Sequence, residues 1–132
     1  MFAVIMNQLT KIRIACVAFG LFIAAIVYAA DTGIAKPAFD FVRGLPLGDK
    51  IFHFLLMGTL SALANLACGG RRLISGLGAP GLGTSIVAVA VLAEEISQIW
   101  IPGRTFEFYD LLADGLGIAC GEFVATKLRA RI

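Results

Sequence analysis

Charge is scarce in this chain. Lysine, arginine, aspartate and glutamate make up 15% of its 132 residues, against about a quarter in a soluble domain. The single histidine rules out the motifs that need several. The three cysteines, Cys16, Cys68 and Cys120, each lie inside or at the end of an apolar run with no C-x-x-C spacing. They read as small buried hydrophobes, which excludes a disulfide framework and a thiolate zinc site. The formal net charge is only +2, and the basic residues are dispersed between apolar runs. Nucleic acid is therefore excluded as a partner. No G-x-S-x-G nucleophile elbow occurs around Ser61 or Ser97, and no cofactor motif is present.

What is abundant is apolar surface. Hydrophobic residues make up 59% of the chain, and the mean hydropathy is +0.90. One small core cannot absorb this surplus, so the composition implies an integral membrane protein whose partner is the lipid bilayer. The pattern predicts a single all-α domain over residues 1–132, a four-helix transmembrane bundle. Its spans fall at about residues 13–30, 51–69, 82–101 and 109–126. The first is read as a retained span. Val27-Tyr28-Ala29 resembles a signal-peptidase site, but the apolar run exceeds a usual leader core and more membrane segment follows it. Residues 31–50 read as a connecting loop, because Pro37 and Pro46 argue against a long helix. Gly76, Gly78 and Gly81 formally match G-x-G-x-x-G. No strand precedes them and Pro80 interrupts them, so the segment reads as a hairpin connection.

Lysine and arginine set the orientation. With the N-terminus inside, Lys11, Arg13, Arg71, Arg72, Lys127, Arg129 and Arg131 are cytoplasmic. Lys36, Arg43, Lys50 and Arg104 lie outside. The positive-inside rule then predicts cytoplasmic termini. This topology sends three separate polar sets to the outer side: Asp49, Lys50 and His53; Glu94, Glu95 and Gln98; and Arg104, Asp110 and Asp114. Asp49 and His53 are one helical turn apart, as are Asp110 and Asp114, and Glu95 and Gln98 are three residues apart. Each pair can face the bundle interior. Glu95 lies roughly 9 Å from its helix end, so it needs an interior partner. Lys50, Arg104 and protonated His53 are the available cations. Trp100 and Tyr109 suit an interfacial aromatic belt. Gly117 and Gly121 suit close helix packing. Glu94 and Glu122 are weaker site candidates. His53, Glu95, Asp110 and Asp114 are metal-ligand types, but no close ligand motif supports them and no metal is assigned.

The ordered set Asp49-Lys50-x-x-His53, Glu95-x-x-Gln98, Pro102-Gly103-Arg104 and Asp110-x-x-x-Asp114-x-x-Gly117 resembles the VanZ-like family of small membrane proteins, over about residues 12–125. The family is named for a protein that gives low-level resistance to the glycopeptide antibiotic teicoplanin. The resemblance implies a bacterial plasma-membrane protein of the cell envelope. It carries over Asp49, Lys50, His53, Glu95, Gln98, Arg104 and Asp110 as the matching polar positions. Asp114 stands where the family usually has Asn.

The leading expectation is a non-enzymatic protein whose outward-facing polar pocket binds a lipid-linked or cell-wall-associated molecule. Asp49, Lys50, His53, Glu95, Gln98, Arg104, Asp110 and Asp114 would form that pocket. Lys50 and Arg104 would meet an anionic headgroup, and Glu95, Gln98 and Asp110 would orient them. Three alternatives stay open. One is a membrane enzyme on a phosphorylated or glycosylated lipid, with His53 or Asp114 as acid/base. Another is a small transporter, which four helices could form only as an oligomer. The third is a polar helix clamp without further function.

Overall fold

A computed structural model describes residues 1–76 and 78–131. Among the described residues the chain is all-helical, with one isolated bridge between Arg72 and Gly81. The helices are α1 (Phe2–Thr32), α2 (Lys36–Gly44), α3 (Gly48–Ala67), α4 (Leu82–Ser97) and α5 (Phe108–Arg129), with a 3-10 turn at Gln98–Trp100 after α4. Three stretches, Phe2–Thr32, Gly48–Ala67 and Leu82–Trp100, are long and apolar enough to cross a bilayer. α5 is long enough but too polar by the same measure, because Asp110, Asp114 and Glu122 interrupt it.

Polar side chains are buried in this molecule and many large apolar ones are exposed. The largest fully buried side chains are Glu95, Asn65, Asp114 and Ser61, while Val17, Leu21, Val89, Leu116 and Phe123 are exposed. Such an arrangement suits hydrocarbon surroundings, where polar groups must find partners within the bundle.

α3 is the hub. It packs against α1, α2, α4 and α5, and most closely against α5. Small residues set that closeness. A side chain at Gly117 would strike the Phe54 carbonyl oxygen, and one at Gly121 would strike that of Gly58. The Ser61 hydroxyl donates to the Ile118 carbonyl at 3.0 Å in the same seam. α4 sits against the other end of α3 through Gly83, which meets the Ala64 backbone. Asn65 and Thr84 hydrogen-bond side chain to side chain there, and the Thr84 N–H donates to Asn65 Oδ1 at 3.3 Å. Glu122 of α5 accepts from the Gly81 N–H at 2.8 Å, placing a carboxylate at the start of α4 where the helix dipole favours it.

Two expectations need correction. The segment 31–50 contains a helix, α2. Pro37 lies in its first turn, where a missing N–H costs nothing, and Pro46 follows its end, so the prolines bracket the helix without breaking it. The first helix also begins well before residue 13. Arg13 already donates to the Ala67 carbonyl at the end of α3, at 3.2 Å. Most residues before it are exposed.

α1 docks on α3 and makes no comparable contact with α4. The space between α1 and α4, floored by α3, is a cavity of about 830 Å³. α2 closes one end. There Gly48 lets the Val42 carbonyl approach α3 more closely than any side chain would allow.

Candidate functional site

The end of α1, the start of α3, the end of α4 and the start of α5 meet at one end of the molecule. Each brings polar residues from inside or beside an apolar helix. Two connected clusters result.

The first joins α3 to α5. Lys50 Nζ donates to Asp110, to Glu107 at 2.7 Å and to Asp49 at 3.1 Å. One turn on, His53 Nδ1 is 2.8 Å from Asp114 Oδ1. Its other ring nitrogen lies 3.7 Å from Asp110 and 3.9 Å from Asp49. The one-turn spacings of Asp49/His53 and Asp110/Asp114 thus place two facing pairs across the α3–α5 seam.

The second cluster joins α4 to α1. Arg104, from the turn after α4, donates to Asp31 at the end of α1 at 2.5 Å. Its other terminal nitrogen is 3.5 Å from Glu94. Gln98 donates to both Glu94 oxygens at 3.0 Å.

Glu95 stands apart from both. It is completely buried, and neither carboxylate oxygen has a hydrogen-bond partner among the described residues. Of the three cations expected to pair with it, Lys50 and Arg104 are engaged elsewhere and only His53 lies near it, and Gln98 turns to Glu94. The reason is helical. Glu94 and Glu95 are about 100° apart around α4, so Gln98 and Arg104 gather on the face of Glu94 while Glu95 points toward α3 and α5. Its carboxylate, an Asp114 oxygen and a His53 nitrogen all lie within 4.8 Å of one another.

Asp49, His53, Gln98, Arg104, Asp110 and Asp114 line the polar end of the cavity, together with Asp31, Arg43, Glu94 and Glu107. Gly20, Ile23, Val27, Phe52, Met57, Leu60 and Val91 line the rest. The space is therefore amphiphilic, with an apolar body and a charged head. A second depression of about 260 Å³ opens beside it, and Arg43 and Arg104 border both. Among the described residues Arg43 makes no ion pair. Trp100 and Tyr109 are exposed and touch neither space.

Sequence reading missed Asp31, Arg43 and Glu107 and undervalued Glu94. Asp31 and Arg43 fell in a segment read as a loop. Glu107, between Arg104 and Asp110, was legible as part of the same turn. The interior facing of Glu94 depends on where α1 and Arg104 lie, which helical spacing alone does not show.

The VanZ/LLP1 family model matches residues 4–129. The chain belongs to the VanZ-like family. No curated protein matches it, and no solved structure does. In this VanZ-like chain Asp49, Lys50, His53, Gln98, Arg104 and Asp110 come together at one end of the bundle. Asp114 is 2% exposed and makes the shortest contact to His53.

Proposed function

We propose that the protein is a four-span envelope membrane protein that binds a lipid-linked or cell-wall-associated amphiphile in the cavity between α1 and α4. The observation that carries this reading is the cavity's division into an apolar body and a charged end. Its volume of about 830 Å³ falls within the roughly 300–1,000 Å³ of small-molecule sites. An acyl or prenyl chain would lie along Ile23, Val27, Met57 and Leu60. An anionic headgroup would sit between Arg43 and Arg104, with Asp31 and Glu94 holding the Arg104 guanidinium in place.

α5 supplies the fourth span in this reading. Its 22 residues extend about 33 Å, which matches a bilayer's hydrocarbon thickness of about 30 Å. Asp110 and Asp114 turn toward α3 and Glu122 toward the start of α4, and its outward face offers Leu116 and Phe123 to lipid. Both termini are cytoplasmic and the polar end faces outward. The molecule's charge polarity supports this orientation, since Arg13, Arg71, Arg72, Lys127 and Arg129 belong to the opposite end. A bound outer-leaflet lipid or cell-wall precursor would give the protein a route to changing teicoplanin access at the surface.

The test is lipid binding with the cavity filled. Wild type in nanodiscs binds an envelope lipid saturably, and Ala24→Trp, which projects into the cavity, weakens that binding at least tenfold. Equal binding by the two proteins would overturn the reading.

One observation favours a second reading, a membrane enzyme. The His53–Asp114 contact orients an imidazole at the cavity wall as a general acid/base requires. Turnover of the bound lipid by wild type, abolished by His53→Gln, would establish it.

A further inference from the structure

We propose that His53, Glu95 and Asp114 form a binding site for one divalent transition cation of the zinc or manganese type. The three residues come from α3, α4 and α5, and the site lies at the point where these helices meet. The proposal does not depend on a lipid in the cavity.

The first ground is Glu95. A carboxylate with no exposure and no protein hydrogen bond on either oxygen is a costly group inside an apolar helix. Ionisable residues at such depth are paired or bind something. No neighbouring cation among the described residues is hydrogen-bonded to it. Lys50 is engaged with Asp49, Glu107 and Asp110, and His53 Nδ1 faces Asp114 at 2.8 Å. A cation or a proton must compensate Glu95.

The second ground is geometric. The donor atoms of His53, Glu95 and Asp114 lie within 4.8 Å of one another. Ligands sharing a cation at about 2.0–2.2 Å are themselves roughly 3 Å apart, so small side-chain rotations would close the set. Asp49, His53 and Asp110 form a second group within the same limit. Lys50 donates to both carboxylates of that group and already fills its cationic role. His53 is common to the two groups, and Lys50 donates to neither carboxylate of the Glu95 side.

The donor set selects the ion. One imidazole with two carboxylates suits zinc or manganese. Calcium and magnesium favour all-oxygen shells, and copper(I) favours sulfur. Two carboxylates also balance a divalent charge, which Asn at position 114 would not.

The test uses the full-length protein, stripped of metal in detergent and titrated calorimetrically with Zn²⁺ and with Mn²⁺. Wild type binds one ion per chain. Glu95→Gln and His53→Gln each weaken binding more than tenfold, while Glu122→Gln, at the far end of the bundle, leaves it within twofold of wild type. Absence of saturable binding in wild type would overturn the site in favour of a protonated Glu95. So would a Glu95→Gln variant that binds as tightly as wild type. X-ray absorption on the zinc-loaded wild type guards against misfolded variants. The expected shell holds one imidazole and oxygen neighbours at about 2.0 Å, and a sulfur shell from the cysteines would reject the assignment.

Discussion

His53 and Asp114 are held 2.8 Å apart across the seam between α3 and α5. Both line the cavity, and both lie next to the unpartnered Glu95 carboxylate. Asp114→Asn preserves the shape and a hydrogen-bonding group beside His53 while removing the charge. It is expected to leave the thermal midpoint close to wild type while weakening Zn²⁺ binding more than tenfold. Thermal unfolding and metal titration on the same preparation check both parts.

The α3–α5 seam depends on residues without side chains. Gly117→Leu would drive a side chain into the Phe54 carbonyl and is expected to destabilise the bundle by at least about 1–3 kcal/mol. Gly20→Ala in α1 meets nothing within 4 Å. It is expected to be neutral or to stabilise by up to about 1 kcal/mol, the helix-propensity difference. Unfolding of the two variants in one detergent gives the comparison.

Asn65 and Thr84 tie α3 to α4 at the end opposite the site. A double-mutant cycle with Asn65→Ala and Thr84→Val is expected to give a coupling of about 0.6–1.7 kcal/mol, the span of interhelical hydrogen bonds measured in a membrane protein. Neither variant should alter lipid binding, because neither residue lines the cavity.

The proposed orientation predicts labelling by a membrane-impermeant maleimide. With Cys16, Cys68 and Cys120 replaced by alanine, a cysteine at Asp40 in α2 is labelled in intact cells. A cysteine at Ala130 is labelled only after the membrane is opened. The reverse pattern would invert the topology.

Much of this architecture was legible in the sequence because apolar run length and one-turn spacing are local properties. The three long apolar helices, the Gly117/Gly121 packing face and the facing pairs Asp49/His53 and Asp110/Asp114 follow from them. Residues that act through distant partners were less legible. Arg104 finds Asp31, 73 positions away, in a segment where two prolines suggested a loop. Glu94 and Glu95 are neighbours in sequence but face different surroundings, and only the positions of α1, α3 and α5 show which carboxylate is paired. The polar stretch around residues 94–114 dominates the sequence, yet α3 is the structural centre, because the small residues that let its neighbours approach carry no chemical signal.

The central claim is that the charged end of the cavity holds the headgroup of an envelope amphiphile. Native mass spectrometry of the protein released from its own membrane tests it most directly, with wild type beside Arg104→Ala. The account predicts a specific anionic lipid or lipid-linked molecule retained by wild type and lost from the variant, with both proteins folded. Folded wild type that carries no specific lipid, or a variant that keeps the same lipid equally well, would contradict it and leave the polar network as a clamp between helices.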